Sequence, residues 1–319
     1  MAQVLRRIAP AAISDTLIVG PEGFDDAGIV RADDGRMQLF TVDFFPPVVD
    51  DPAAFGAIAA ANSLSDIYAC GGEPRVVLNI AGFPADWDHD TLTPIFDAAV
   101  AKVRESGAIW VGGHTVRSEE PLFGFAVYGE ASEDQLITQA RCRAGDRLYL
   151  TKPLGAGSIN TGVKRGMVSK EDEAAAVAGM SRLNKLGLRA MRAAGVRAAT
   201  DITGFGLLGH AYNMAKASQL TLELRAVGLP LYAGAAELAA QGVYSGAANR
   251  GREGLGDRVQ VSSEVPDWLS ALCFDAETSG GLLVAVPEDQ AVVFEQELAE
   301  EPPAFVGEVL AGEAIVSLR

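Results

Sequence analysis

The residues of this chain best suited to chemistry are aspartates, and they recur in one kind of setting. The stretch "GFDDAGIV" sets Asp25 and Asp26 side by side in a glycine-flanked loop after the apolar run "TLIVG". Asp43 stands at the end of the strand-like "MQLFTV", and Asp201 ends the strand-like "AATD". Asn62 precedes Asp66 by one helical turn, so both face the same way. Strand ends beside glycine turns are where α/β folds hold ligands. Several hard carboxylate oxygens suit Mg²⁺, which completes its shell with water and substrate phosphates. Aspartates gathered without histidine are what phosphoryl transfer asks for, because the metal neutralises the phosphates and the charge that develops between them. Taken singly, each aspartate reads equally well as a turn residue, a helix cap or a solvated face. The helix carrying Asn62 and Asp66 is otherwise dominated by Ala, Ile, Leu and Phe, which makes an idle charge there out of place. "GGHT", Gly112 to Thr115, offers backbone donors, an imidazole and a hydroxyl, or simply a turn. The chain has no GxxxxGK[ST] phosphate loop and no GxGxxG after a first strand.

Composition narrows the partners. The chain of 319 residues carries a formal charge of −16. An acidic protein lacks the basic face that a nucleic-acid backbone needs, yet it can bind a nucleotide whose phosphates a divalent metal screens. No apolar run approaches the ~20 residues of a membrane span, and "MAQVLRRIAP" has no secretion-signal core. Cys70, Cys142 and Cys273 are far apart and form no CxxC pair. A reduced cytoplasmic setting with small-molecule substrates, no nucleic acid and no membrane is the expectation.

The elements that must position the aspartates alternate. Residues 37–42 and 75–80 read as strands. Between them a helix opens at Asp51–Pro52 and stops at Gly71–Gly72. Leu92, Ile95, Phe96, Ala99 and Val103 recur at helical spacing, and "AIWVGG", "LFGFAVYGE" and "RLYLT" read as strands. "TKPLGAG" marks a joint, so two α/β domains are expected, 1–150 and 151–319. In the second, one long helical pattern runs through "EDEAAAVAGMSRLNKLGLRAM" before "AATD", the helix "LLGHAYNMAKA" and the buried strand "GGLLVAV".

The segments "DDAGIV", "TVDFFPPVVDDPAAFGAIAAANSLSDIYACGGEP", "GGHT", "EPLFG", "LTKPLGAG", "TDITGFGLLGH" and "DAETSGGLL" together resemble the selenophosphate synthetase (selenide, water dikinase) family in order and spacing. Thiamine-monophosphate kinase, aminoimidazole ribonucleotide synthetase and the hydrogenase maturation dehydratase belong to the same superfamily and share the acidic loop. The resemblance implies a two-domain, mixed α/β fold of the aminoimidazole ribonucleotide synthetase kind, paired through its N-terminal sheets into a homodimer. It implies conversion of ATP, selenide and water to selenophosphate, AMP and orthophosphate. By motif match it assigns Asp26, Asp66 and Asp201 to Mg²⁺, and Gly23, Phe24, Asp25, Asp43 and Asp66 to the nucleotide. Gly113, His114 and Thr115 match a nucleotide contact that resembles one supplied by the partner subunit. Phe44, Phe45, Phe123 and Phe125 are the expected source of apolar dimer area.

One departure stands out. The family carries a nucleophilic Cys or selenocysteine and a Lys just before a short helix that matches "QVLRRI" here, yet no cysteine precedes Cys70 and no lysine precedes Lys102. The expectation is that these catalytic residues lie upstream of Met1 and that this chain alone binds ATP without making selenophosphate. Another superfamily phosphotransferase and a non-catalytic nucleotide-binding homologue are the alternatives.

Overall fold

A computed structural model describes residues 14–21 and 25–319. Its first half is a six-stranded sheet with two helices on one face. The strands are β1 (Leu17–Val19), β2 (Gly28–Arg31), β3 (Met37–Phe45), β4 (Glu73–Phe83), β5 (Ile109–Arg117) and β6 (Leu122–Ala131), ordered β1-β2-β3-β6-β4-β5. Only β4 and β5 run parallel; the other neighbours are antiparallel. Helix α1 (Pro52–Ala69) begins where Asp51 accepts a hydrogen bond from the Ala54 N–H at 2.6 Å, with Pro52 in the first turn. Helix α2 (His89–Ser106) is capped by Asp88 and ends at Gly107, whose left-handed backbone suits glycine.

The second half is a seven-stranded mixed sheet. Its strands are β7 (Arg147–Leu150), β8 (Ala198–Asp201), β9 (Thr221–Leu224), β10 (Val259–Val261), β11 (Leu282–Val286), β12 (Ala304–Leu310) and β13 (Val316–Leu318), in the order β10-β13-β9-β12-β7-β11-β8. The helices are α3 (Ala156–Lys164), α4 (Lys170–Ser181), α5 (Lys185–Ala193), α6 (Gly206–Ser218), α7 (Ala235–Ala240), α8 (Ala247–Leu255), α9 (Asp267–Phe274) and α10 (Ala291–Glu297).

Four expectations are corrected here. The division at 150/151 cuts β7 from its own sheet: β7 pairs with β11 and β12, so the sheets part between β6 and β7. The single helical pattern of residues 171–191 is two helices. They break at Arg182–Asn184, where the Arg182 backbone turns extended (φ −75°, ψ 131°) and the Asn184 amide donates to Ser65 Oγ and Gly280 O. The "GGHT" segment is extended strand within β5, and Asp43 lies inside β3 instead of at its end.

Helix α1 shows how polar residues survive in an apolar setting. It is buried on every side: Phe55, Ala59 and Leu64 join the core of the first sheet, while Ile58 joins the core of the second half. A helix sandwiched in this way carries Asn62 and Asp66 into the seam between the two halves. Gly113 shows how closely β4 and β5 approach. A Cβ there would lie 2.2 Å from Asn79 Oδ1 and 2.3 Å from Asn79 O. Gly113→Ala is therefore expected to destabilise the fold by about 1–3 kcal/mol, as overpacking does; a urea midpoint equal to wild type would contradict the packing described.

Candidate active site

The carboxylates meet in the seam. Asp26, in the loop before β2, accepts hydrogen bonds at Oδ1 from Thr200 Oγ1 at 2.8 Å and Gln139 Nε2 at 3.0 Å. Asp25 accepts from the backbone N–H of Asp26 and of Gln139. Ligand atoms of Asp26, Asp201 and His210 lie within 4.8 Å of one another. Asp66 accepts from Thr41 Oγ1 on β3, and Asp43 accepts from Asn62 Nδ2 at 2.9 Å. Asn62 in turn accepts from the Ser279 N–H at 3.0 Å, which ties α1 to the turn before β11. Asp26, Asp43, Asp66 and Asp201 thus converge from a loop, a strand, a helix and a second strand end. Gly23 and Phe24 lie outside the described residues, as does "QVLRRI".

The electrostatics are those of crowded, buried carboxyls. Burial first, then repulsion from Asp201, lifts the Asp43 carboxyl to about 7. Burial lifts Asp25 and Asp201 each to about 6, the latter restrained by the Ser65 hydroxyl and the Lys152 ammonium. Asp26 and Asp66 are raised well above the usual carboxylate range by burial and by their acidic neighbours. Asp26 Oδ2 and Asp201 Oδ2 are buried and have no hydrogen-bond partner among the described residues. Two orphaned anionic oxygens in a cluster otherwise well supplied with donors fit a hard divalent cation, which needs oxygen ligands and offers charge in return.

Some of this site carries no mark in the sequence. Gln139, from the 3₁₀ turn Gln139–Arg141, has no local signal that it reaches Asp26. His210 looks like a metal ligand but is spent otherwise. Its Nε2 accepts from the Thr203 N–H at 3.1 Å, so the neutral ring carries its proton on Nδ1, 3.4 Å from Thr200 Oγ1. Burial holds the ring neutral, pushing it down to about 4. His210 orients Thr200, and Thr200 orients Asp26. Lys152 is buried, held by Arg182 O and Ser279 O, and lowered to about 7 by desolvation. The three cysteines are free and buried. Cys70 Sγ lies near Asp25 and Asp26, and burial and those carboxylates raise its thiol well above the ordinary value, the opposite of what a nucleophile needs.

The residues of "GGHT" do not join the cluster within one chain. Strand β5 is three places from β3, roughly 14 Å at ordinary strand spacing. The register places Gly113 in one row with Asn79, Phe125 and Asp43, and His114 in the next row with Ile80, Gly124 and Phe44. Facing residues in a row share a side, so His114 shares with Phe44 the side that carries no helix among the described residues. That side is apolar and exposed, with Phe40, Val42, Phe44, Leu78, Ile109 and Val111 uncovered. Of the four phenylalanines expected there only Phe44 is exposed: Phe123 and Phe125 are core residues, and Phe45 packs half-buried against Phe55.

The titration behaviour has a measurable consequence. These carboxyls hold protons more tightly folded than unfolded, so their contribution to stability is present below about pH 4 and lost as pH rises through 6 to 7. In EDTA the melting temperature is expected to fall between pH 5.5 and pH 8, and Mg²⁺ should remove most of that fall. Scanning calorimetry giving the same pH slope with and without Mg²⁺ would count against the cluster as a metal site.

Fold and site together define a two-domain protein of the AIR synthase-related class. The N-terminal domain model of that class matches residues 24–131 and the C-terminal domain model residues 143–318. The fold is similar to that of thiamine monophosphate kinase from Aquifex aeolicus, with a TM-score of 0.69, 18% identity and coverage of 100% of this chain and 96% of that one. The sequence is 40% identical to the selenide, water dikinase of Clostridioides difficile over 91% of this chain and 84% of that protein. It is 43% identical to selenide, water dikinase 2 of Peptoclostridium acidaminophilum over 88% of this chain and 81% of that protein. The chain belongs to the selenide, water dikinase family.

Proposed function

We propose that this enzyme converts selenide to selenophosphate at the expense of ATP, and that the acidic seam is where Mg²⁺ and the ATP phosphates are held. The observation that carries the reading is the pair of buried, partnerless oxygens on Asp26 and Asp201 within a cluster of mutually repelling carboxylates. Asp26, Asp66 and Asp201 would ligate the metal, while Gly23, Phe24, Asp25 and Asp43 would line the nucleotide. Magnesium, when bound, would screen the phosphates from the carboxylates and stabilise charge during phosphoryl transfer.

The chain's own groups have defined tasks in this reading. Thr200, Gln139, Thr41 and Asn62 hold Asp26, Asp66 and Asp43 by hydrogen bonds, so the oxygens are set before a nucleotide arrives. The apolar helix-free face would be covered by a second copy of the chain. The exposed apolar residues gathered there support this, and pairing would bring Gly113, His114 and Thr115 of one copy toward the nucleotide of the other. Partners are then small molecules and a second copy. No helix of the described residues is long and apolar enough to cross a membrane, and three free cysteines fit a reducing, cytoplasmic setting. Phosphorus NMR of the protein with ATP, selenide and Mg²⁺ tests the reaction. Selenophosphate, AMP and orthophosphate are expected together when a segment carrying the family's nucleophilic Cys or selenocysteine and Lys is joined ahead of Met1, and ATP binding without selenophosphate when it is not; consumption of ATP by the extended chain with no phosphorus–selenium product would contradict the reaction.

A further inference from the structure

On the far side of α1 from Asp66 lies a crevice of about 490 Å³, bounded by the end of α1, the start of β4, the α2 terminus and helix α5. Tyr68 follows Asp66 by two residues, about 200° around the helix, so this crevice and the acidic seam occupy opposite faces of one element. Its lining is basic in a chain of net charge −16: Arg75, Lys185, Arg189 and Arg192 stand against Glu73 alone.

The charges are only loosely committed. Arg192 pairs with Glu73 at 2.8 Å, and Glu73 is shared with Arg75 at 3.0 Å. Arg75 also reaches Glu130, and Arg189 pairs with Glu297 at 2.8 Å. Such partly exposed pairs contribute little stability, so an arriving dianion displaces them at small cost. Lys185 has no carboxylate partner among the described residues; its ammonium rests on Glu105 O and Ser106 O. Two further atoms have hydrogen-bonding capacity left over. Tyr68 is 1% exposed, and its hydroxyl comes near Ser106 without completing a hydrogen bond. Arg192 Nε is likewise buried and partnerless among the described residues. Orphaned donors of this kind are rare, and here both belong to the wall of one basic crevice.

We propose that this crevice is a second binding site, separate from the acidic seam, for a compact anion bearing a dianionic phosphoryl group, either orthophosphate or a phosphate monoester. Guanidinium forks suit phosphoryl oxygens, and the size lies in the range of small-molecule sites. Because the crevice bridges the first sheet and helix α5 of the second half, an anion there would tie the two halves together behind α1.

The test separates the two sites by withholding metal. In EDTA the carboxylate seam repels phosphate, so calorimetric binding of orthophosphate to the full chain reports the crevice. One saturable site per chain is expected. The double variant Arg75→Gln/Arg189→Gln, both at exposed side chains, should weaken it at least about tenfold, the loss expected for charge-assisted bonds. Tyr68→Phe should weaken it at least about tenfold, the scale of one hydrogen bond to a charged acceptor. AMP titrated in the same way distinguishes the sources: tighter binding than orthophosphate identifies a monoester site, and equal or weaker binding identifies orthophosphate. No saturable binding in EDTA, or binding unchanged in both variants, would overturn the proposal and leave the arginines as a latch between the halves. The magnesium reading does not enter this measurement, so either can fail alone.

Discussion

Asp201→Asn is expected to weaken Mg²⁺-dependent ATP binding by about a hundredfold or more while leaving the protein folded. Asp201 is 1% exposed and stands at the centre of the repulsion, since its charge raises Asp26, Asp43 and Asp66 alike. Removing that charge takes away one hard oxygen and one negative charge from the metal's shell. It also relieves the cluster, so the variant should melt higher than wild type in EDTA at pH 8, where the wild-type carboxyls are pressed to ionise. The two effects have opposite signs, which a simple folding defect cannot produce. Asp26→Asn should behave in the same way, because it too offers a partnerless buried oxygen to the metal. A variant that binds Mg-ATP as wild type does would remove Asp201 from the site.

The second large effect concerns the bare sheet face. Val111 is 57% and Phe44 47% exposed, and they lie on separate strands of one continuous apolar side. Val111→Asp combined with Phe44→Asp should convert a dimer to a monomer, because two uncompensated charges would be buried at the interface. Nucleotide affinity should fall with it, since Gly113, His114 and Thr115 are three strands from the carboxylates of their own chain. His114→Ala should reproduce the loss of affinity and leave the dimer intact. Light scattering that shows monomeric wild type with ATP binding unimpaired would reject this arrangement.

Much of the site was legible because its residues are conspicuous where they stand. Aspartates at strand ends, and a carboxylate one turn from an asparagine on an apolar helix, are costly to bury unless a ligand meets them, and the structure does bring Asp26, Asp43, Asp66 and Asp201 together. The cap at Asp51 and the stop at Gly71–Gly72 were readable because they are local chemistry. What escaped is tertiary. Gln139 reaches Asp26 across more than a hundred residues, and the break between α4 and α5 falls where the Arg182 backbone turns extended and Asn184 is tied to Ser65 and Gly280, with no proline or glycine at the break. Phe45, Phe123 and Phe125 do not reach the exposed face where Phe44 stands, because a run of aromatic residues in a strand does not say which of its faces the helices cover. Phe123 and Phe125 belong to a cluster with Phe55, Phe83 and Phe96, which only packing reveals. The basic crevice behind α1 draws on residues from three separate segments and has no sequence signature.

Everything proposed for the acidic seam depends on a metal turning it into a nucleotide site. Calorimetric titration of ATP into the wild-type protein, once in excess Mg²⁺ and once in EDTA at the same ionic strength, decides whether it does. We expect saturable binding with Mg²⁺ and affinity at least about a hundredfold weaker in EDTA, because unscreened phosphates would face Asp25, Asp26, Asp43, Asp66 and Asp201. Equal ATP affinity in the two buffers would show that the carboxylates do not hold the nucleotide through a metal.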